Sequence, residues 1–388
     1  MAATPAEQTA PPSIEIDSLY PTPEALAAQP IDNEILAQFN DHYFLKRGIF
    51  NAQIDIKEIN DHPFYVYLQF SPNNRLTHLR HFLFLKFAKD IQEMKNCYII
   101  VHVTDTKSLL RDPKAKWADI EKFRTETVKD ILAFNFDPVK TLIIFNTDAP
   151  ELDYIMLCDL QRSVPLGDFV TPLYPDDSVN VGLIDTAFQS AAIALPSYLT
   201  RIFGKNPDLR CLMLCRSSQK AFVDFTRHLA DISKDPKPAV IYGGFVPALQ
   251  SREKMPKIAK IALVGNKTDY MTIYLKNTAK EVTQKLNKFA FSGGRDRKED
   301  QQETGANLAV DIPFYYLKLF ADDETFEHVR IYYGPGELQE GNEKRLLTGE
   351  VKKLCGEIIW KAIKPFQDGR NKVTPDLIKQ VCTIHPLV

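Results

Sequence analysis

The sequence lacks the composition of several functional classes. Its 388 residues include 48 Lys and Arg against 50 Asp and Glu, so the net charge is -2 and no general excess of positive charge points to nucleic acid. No apolar run approaches the roughly 20 residues that a membrane-spanning helix needs. The first Lys or Arg is Lys46, which argues against a mitochondrial presequence or a secretory signal. We predict a cytoplasmic protein without a membrane partner.

Cysteine is scarce and is not arranged in a C-x-x-C framework. Of the six cysteines, only Cys211 and Cys215 are spaced closely enough to suggest half of a metal site. Both fall in the apolar run 209–215, which predicts a buried strand, where a thiol behaves as a small hydrophobic side chain. We therefore predict no metal site, and a reducing compartment.

Two glycine-rich phosphate-binding motifs are also absent. The chain has no G-x-x-x-x-G-K-[ST] loop, and no G-x-G-x-x-G sequence follows its first predicted strand. These motifs hold phosphates through backbone N–H groups at the start of a helix. A nucleotide bound here would need another device.

From Phe64 onwards the sequence alternates between strands and helices. The predicted strands are 65–68, 97–103, 141–145, 209–215 and 238–242, and the predicted helices between them are 79–94, 117–134 and 220–232. Such alternation is typical of right-handed βαβ units and of a parallel sheet covered on both faces. The fold class is therefore α/β, with a sheet of the Rossmann, nucleotide-binding type.

The last third of the chain has no strand signals. Amphipathic patterns predict helices at 279–291, 312–320, 324–332, 348–366 and 374–382. Thr348 is expected to cap the fourth of these, and Pro365 to bend or end it. We predict a disordered tail at 1–30, where large apolar residues are few, an α/β domain at 31–275 and an all-α C-terminal domain at 276–388.

The junction from Ser71 to His81 joins the first predicted strand to the first predicted helix. Thr77 is placed to cap this helix, and His78 and His81 lie three residues apart, on one face. Two imidazoles at a helix N-terminus are suited to stabilising a phosphoryl transition state. The same spacing also occurs on ordinary helix surfaces, so the pattern alone leaves both interpretations open.

Several segments together resemble the eukaryotic tryptophanyl-tRNA synthetases. They are the stretch 44–50 (FLKRGIF), the strand 62–67 (HPFYVY), the junction that follows it, and the signature 290–296 (AFSGGRD). Further matches in the same order include 236–239 (PKPA), 247–250 (PALQ), 278–280 (TAK) and 347–350 (LTGE). The resemblance runs from about Phe39 to Cys382, which is nearly the whole predicted folded chain.

The resemblance implies a class I aminoacyl-tRNA synthetase. In that family a Rossmann-type domain activates tryptophan with ATP and Mg²⁺, a helical domain binds tRNA, and the subunits form a homodimer. The site residues that it implies here are His78, His81 and Lys254 for catalysis; Tyr67, His102, Lys107 and Gln219 for the substrate; and Arg80 and Met255 for the nucleotide.

The nucleotide motifs depart from the family pattern. The family's Thr-Gly-Arg-Gly-Pro segment reads 68–72 (LQFSP) here, and its His-Val-Gly-His reads 78–81 (HLRH). Glycine at the third position of the second motif lets adenosine approach the backbone closely. Arg80 either fills that space or turns away to solvent. The lysine loop that closes over ATP corresponds to 254–257 (KMPK), where Pro256 fixes a torsion and a plain lysine-rich surface loop is favoured.

The tryptophan motifs depart as well. Lys107 stands where the family has a carboxylate that helps to hold the ammonium group, and His102 stands where it has glutamine. The family's Asp-Gln-Asp segment reads Ser218-Gln219-Lys220. Tyr67, whose ring could stack on an indole, is retained. Because like charges repel, each acid-to-base change is expected to weaken substrate binding.

Two hypotheses of different classes follow. The first is a synthetase homologue with lost or weak activity that binds tRNA, an active synthetase paralogue or another protein. The second is a working tryptophan–tRNA ligase with a rebuilt site, which would use ATP. The candidate phosphate-binding side chains are Lys285, Lys288, Arg295, Arg297, Lys298, Lys344, Arg345, Lys352 and Lys353. Acids interleaved among them equally fit a solvated surface.

Overall fold

The computed structural model describes residues 33–72, 77–165, 173, 179–243, 246–250, 270–338 and 344–387. The predicted tail, 1–30, lies outside the described residues. Within them, six strands form one sheet: β1 (Phe50–Ile54), β2 (Phe64–Phe70), β3 (Tyr98–Val103), β4 (Thr141–Phe145), β5 (Arg210–Arg216) and β6 (Ala239–Gly243). All five predicted strands are therefore present.

The strands lie side by side in the order β1-β6-β5-β2-β3-β4. The five predicted strands pair in parallel, which confirms the Rossmann-type sheet. The edge strand β1 was not predicted, and it pairs antiparallel with β6. The chain runs outward from β2 through β3 to β4 and then returns to β5 on the other side of β2. The carboxyl ends of β2 and β5 therefore flank the crevice where such sheets bind ligands.

Helices cover both faces of the sheet and make up the C-terminal region. In chain order they are α1 (Asn33–Gln38), α2 (Tyr43–Lys46), α3 (Leu79–Lys95), α4 (Asp105–Arg111), α5 (Trp117–Leu132), α6 (Pro150–Arg162), α7 (Val181–Ala192), α8 (Thr200–Phe203), α9 (Lys220–Ser233), α10 (Ala279–Phe289), α11 (Lys298–Thr304), α12 (Ile312–Phe320), α13 (Asp323–Tyr333), α14 (Thr348–Arg370) and α15 (Pro375–Cys382). None of those in the described segments is long and apolar enough to cross a membrane.

The two faces of the sheet belong to two separate hydrophobic cores. Val66 and Leu68 of β2 face a core that includes α3, α5 and the C-terminal helices. Tyr65 and Tyr67 face the other core, with α6, α7 and α9. Alternate residues of one strand point to opposite faces, so a nearly continuous apolar strand supplies both cores. The C-terminal helices therefore share a core with the helices that follow β2 and β3.

Two predictions about helix caps were wrong. Helix α3 begins at Leu79, as predicted, but its N-cap is His78 rather than Thr77, whose hydroxyl donates to Asp130. The N-cap of α14 is Leu347 rather than Thr348, and the Glu350 carboxylate accepts the backbone N–H of Leu347 at 2.7 Å. Both caps were predicted from the local preference for threonine at N-caps. In the structure, hydrogen bonds to Asp130 and from the Leu347 backbone to Glu350 determine which residue is the N-cap instead.

Helix α14 also continues through Pro365 to Arg370. Its last turns are held from outside the helix, because the Gln367 side chain donates to the backbone oxygens of Leu275 and Asn277 at 2.8 and 3.0 Å. Phe366 is buried in the core at the same level. These contacts offset the one backbone hydrogen bond that a proline removes.

Candidate functional site

The candidate site lies at the carboxyl ends of β2, β3 and β5. Gln69, near the end of β2, accepts a hydrogen bond at 3.2 Å from Gln219, which follows β5. This bond spans the crevice where the strand order reverses. The other Gln219 amide atom, Oε1, accepts the backbone N–H and the Nε of Arg216 at 3.0 and 3.2 Å. Both the oxygen and the nitrogen of the Gln219 side-chain amide therefore make hydrogen bonds within the protein.

The two histidines of the junction lie together. The rings of His78 and His81 stack at a centroid distance of 4.0 Å, which confirms that they share one face of the helix start. The backbone N–H of His78 points to Nδ1 of His81 at 3.4 Å, so the proton of His81 is on Nε2. Burial, with help from Arg80 and Arg216, lowers the pKa of His81 to about 3. His81 is therefore neutral at pH 7, and its Nε2–H remains able to donate.

The charge of Arg80 acts on two groups, one in the histidine junction and one in the C-terminal helices. Its side chain is partly buried, and its charge acts on His81 and also on Tyr316 of α12, lowering the pKa of each. Burial is the larger influence on both groups, and it raises the pKa of Tyr316. Tyr316 donates to the backbone oxygen of Pro247 at 2.6 Å. Arg80 therefore lies within electrostatic range of both His81 and Tyr316 of α12.

A buried hydrogen-bond chain fixes the proton of His102. The Tyr67 hydroxyl donates its one proton to the Ser190 backbone oxygen at 2.8 Å. The 3.1 Å contact between Tyr67 and Nδ1 of His102 therefore requires the imidazole to donate. Burial lowers the pKa of His102 to about 3, and the charge of Lys107 adds to the effect. His102 is neutral, and its Nε2 is a bare acceptor.

Lys107 sits in the first turn of α4, directly after β3. Burial lowers its pKa to about 8, and the charges of Arg111 and Arg216 lower it further. Within the described segments, both charges that lower the pKa of Lys107 are positive. The nearby carboxylate of Asp105 serves other groups, since it accepts from Thr147 at 2.9 Å and pairs with Arg124 at 3.4 Å. The site therefore concentrates positive charge.

Comparisons with known proteins agree on one family, although no family model matches the chain. The chain is 31% identical over 356 residues to the cytoplasmic tryptophan–tRNA ligase of Homo sapiens, covering 88% of this chain and 71% of that protein. It is 30% identical over 398 residues to the cytoplasmic enzyme of Saccharomyces cerevisiae, covering 98% and 87%. The chain belongs to the tryptophan–tRNA ligase family. The solved tryptophanyl-tRNA synthetase of Giardia lamblia matches with a TM-score of 0.81, 28% identity and coverage of 93% and 94%.

The family signature at 290–296 has a structural role in this tryptophan–tRNA ligase homologue. The backbone N–H of Gly293 donates to the buried Asp311 carboxylate at 2.9 Å, and its oxygen accepts from Asn307 at 2.8 Å. A Cβ on Gly293 would lie 1.8 Å from the Asn307 backbone oxygen, and one on Gly294 would lie 2.1 Å from the Thr348 hydroxyl. The two glycines therefore allow the C-terminal helices to approach closely.

Some residues that the family resemblance assigns to the site do not lie in the crevice or in the described part of the chain. Lys254 and Met255, predicted for catalysis and for the nucleotide, lie outside the described residues. Lys220 is exposed and pairs with Asp224 at 2.6 Å on the surface of α9. Tyr67 is 1% exposed and its ring is enclosed in the core. Across the described ranges, no group of three His, Cys, Asp or Glu side chains could hold a metal ion.

The predicted phosphate-binding set is partly wrong. Arg345 is buried, and its guanidinium donates to the backbone oxygens of Gln302, Gly334 and Gly336. Lys285 donates to the backbone oxygen of Thr272 at 2.7 Å. These two side chains hold the helices together. The exposed members of the set include Arg297, Lys298, Lys344 and Lys353.

Two basic residues of the site were missed from the sequence. Arg216 ends β5 and Arg111 ends α4, and both act on Lys107. Arg216 could have been predicted to lie at the site, because it directly follows a buried apolar strand and therefore stands at the carboxyl edge of the sheet. Arg111 had no such signal, because α4 was not predicted and its orientation depends on how that helix packs.

Proposed function

We propose that this chain is a tryptophan–tRNA ligase homologue in which the activation of tryptophan with ATP is lost or much reduced, and that it acts by binding tRNA. The observation that carries the proposal is the setting of Lys107. Among the described residues, the two charges that shift the pKa of this lysine, Arg111 and Arg216, are positive. An amino acid brings an ammonium group, so its binding here adds a further positive charge to a positively charged site.

The size of this effect is enough to matter. Two like unit charges 4 Å apart repel by about 4 kcal/mol at an effective dielectric constant of about 20. About 1.4 kcal/mol is a factor of ten in affinity, so the repulsion corresponds to roughly a thousandfold. Deprotonation of Lys107 reduces it only partly, since a pKa of about 8 leaves the group mostly charged at pH 7. A loss of this size in tryptophan binding also lowers activation.

The nucleotide motif supports the same proposal. The family's glycine permits close approach of adenosine to the backbone, and Arg80 occupies that position here. Its charge acts on His81, which is held neutral, and its side chain is partly buried rather than extended into solvent. A side chain at this position opposes the close approach of adenosine that glycine permits in the family. An active ligase that forms tryptophanyl-tRNA from ATP, tryptophan and tRNA remains the alternative that the experiment distinguishes.

Binding of tRNA is supported by the family and by the exposed cations of the C-terminal region, Arg297, Lys298, Lys344 and Lys353. Dimer formation, with a second copy or with an active paralogue, is supported by exposed apolar side chains on α6 and α7: Tyr154 is 56% exposed, Ile155 71% and Val181 82%. The names of the relatives support a cytoplasmic location.

The test combines binding and charging in one sample. Purified full-length chain is mixed with tryptophan-specific tRNA, ATP, Mg²⁺ and radiolabelled tryptophan, beside the yeast relative. We expect a tRNA complex in a gel-shift measurement and no label on the tRNA. Aminoacylation at a rate comparable with that of the yeast relative would establish the active-ligase alternative. Absence of the tRNA complex would overturn the tRNA-binding role.

A further inference from the structure

Four buried polar atoms at the carboxyl edge of the sheet lack a hydrogen-bond partner within the described segments. They are Nε2 of His102, Nε2 of Gln69, Oγ1 of Thr106 and Oδ1 of Asn146. Gln69 lies near the end of β2, His102 near the end of β3, Thr106 just after β3 and Asn146 directly after β4. A buried polar atom without a partner destabilises the fold, because it has lost its hydrogen bonds to water. Such atoms are the groups that a bound ligand or an ordered water would satisfy.

The best-defined of these atoms is Nε2 of His102, because its protonation follows from its partners. Nδ1 donates to Tyr67, so Nε2 accepts, and a ligand must supply an N–H or O–H. His102 is 0% exposed, and its neighbour on β4 is Ile144, with Ile100 on the same face of β3. A donor that reaches an acceptor among apolar side chains is best carried by an apolar ring.

The charges around this acceptor select the rest of the ligand. Lys107 lies in the first turn of α4, directly after the β3 strand that carries His102, and Arg216 ends β5 at the same edge of the sheet. The closest acid on the same segment, Asp105, is engaged by Arg124 and Thr147. A negatively charged group is therefore favoured here, and a positively charged one is repelled.

We propose that this edge of the sheet binds a small aromatic carboxylate that carries a ring N–H or O–H and lacks an ammonium group. The ring donor pairs with His102, and the carboxylate lies against Lys107. The inference rests on the proposed function, because a chain that activates tryptophan must accept the ammonium group that this site repels. It specifies which class of molecule the altered site takes instead.

Calorimetric titration of the purified full-length chain tests the charge preference. Three probes share the indole ring: indole-3-propionate, which has a carboxylate alone; L-tryptophan, which has both charges; and tryptamine, which has an ammonium group alone. At pH 7 we expect indole-3-propionate to bind about tenfold or more tightly than L-tryptophan, and tryptamine to bind most weakly. Binding of L-tryptophan or tryptamine as tight as that of indole-3-propionate would overturn the proposal.

Two variants of the site assign the preference to its residues. Lys107→Glu is expected to weaken indole-3-propionate about tenfold or more and to strengthen tryptamine. Lys107→Met removes the charge without reversing it, and its affinities for both probes are expected to lie between those of the unaltered chain and those of Lys107→Glu. Lys361→Glu, the same charge change on the exposed surface of α14, is the matched control and is expected to leave the order unchanged. An unchanged order in Lys107→Glu would contradict the assignment.

A fourth probe tests the ring donor. In 3-(1-naphthyl)propionate the indole is replaced by a ring without an N–H. The unaltered chain is expected to prefer indole-3-propionate, and His102→Phe, which keeps a ring but removes the acceptor, is expected to lose that preference. Equal binding of the two acids by the unaltered chain would overturn the role of His102. Activation is measured separately, so failure of the ligand preference and failure of the proposed function give different results.

Discussion

Arg370, in the last turn of α14, donates its Nε to the Asp130 carboxylate of α5 at 2.6 Å. Asp130 is buried and also accepts from Thr77, and the Arg370 guanidinium pairs with Glu126 as well. The end of α14 is thereby linked through the Asp130 carboxylate to Thr77, which precedes the N-cap of α3. The ion pairs join the helical region to the histidine junction.

Removing this link is expected to destabilise the fold. Arg370→Gln leaves the Asp130 carboxylate buried with Thr77 and with Lys276 at 3.7 Å as its remaining partners. Removing one partner of a buried pair costs about 3–5 kcal/mol, and the remaining partners reduce this to about 2 kcal/mol. Chemical denaturation measures the change in the free energy of unfolding.

The matched control lies in the same helix. Lys364 pairs with Asp368 on the exposed surface of α14, and exposed pairs at this spacing contribute about 0.3–0.5 kcal/mol. Lys364→Gln is therefore expected to have a small effect. Equal losses of stability in Lys364→Gln and Arg370→Gln would show that burial of Asp130 does not determine the cost.

The setting of Lys107 predicts an unusual gain of stability at alkaline pH. Its pKa is about 8 in the fold against an ordinary 10.5, so between these values the unfolded chain binds the extra proton. Stability contributed at this position therefore rises with pH across that window, by at most about 1.4 kcal/mol per unit. Lys107→Met is expected to be more stable than the unaltered chain at pH 7, with the gap closing above pH 8. Denaturant unfolding across pH 7–10 measures the gap. A constant gap would contradict the shift.

His102 predicts a loss of stability in acid. Its pKa is about 3 in the fold against 6.5 in the unfolded chain, so the unfolded chain takes up the proton first as pH falls. The stability contributed by neutral His102 is fully present above about pH 6.5 and is lost as pH falls toward 3. His102→Phe cannot titrate, so its unfolding free energy is expected to fall less between pH 6.5 and 4. Parallel pH profiles for the two chains would rule out a buried, neutral His102.

The exposed and the buried basic residues of the C-terminal region are expected to behave differently toward tRNA. Lys298→Glu and Lys353→Glu are each expected to weaken tRNA binding and to reduce the slope of log affinity against log salt by about 0.7–1. Arg345→Gln is expected instead to lower stability, because its guanidinium bonds three backbone oxygens. Filter binding over a salt series, with thermal unfolding alongside, separates the effects. Unchanged salt slopes in both lysine variants would contradict a phosphate role.

The apolar periodicity of the sequence was sufficient for the parallel sheet and for eight of the fifteen helices in the described segments; it did not predict α6 or α7. Helix α12 begins and ends where it was predicted, at Ile312 and Phe320, and β4 likewise at Thr141 and Phe145. The edge strand β1 was missed because its partner β6 lies far along the chain, with Ile54 paired to Val240. Buried strands carry their own signal, whereas an edge strand depends on a distant partner.

The chemistry of the site could be predicted only in part. The family pattern identified Lys107 and His102, but the proton position of His102 depends on Ser190, which lies in α7 and was not predicted to be near. Arg345 was expected on a tRNA-binding surface, and it is buried because three backbone oxygens at the turn after α13 and at α11 need a donor. Side-chain roles of this kind depend on tertiary contacts that no local pattern contains.

Tryptophan-dependent exchange of pyrophosphate into ATP shows whether this chain still activates tryptophan. The purified chain is compared with the Arg80→Gly, Lys107→Glu double variant, which restores the family's residue type at both positions, and with Lys361→Glu as the surface control. We expect no exchange above background in the unaltered chain and in the control, and measurable exchange in the double variant. Exchange by the unaltered chain at a rate comparable with that of the yeast relative would show that activation has not been lost.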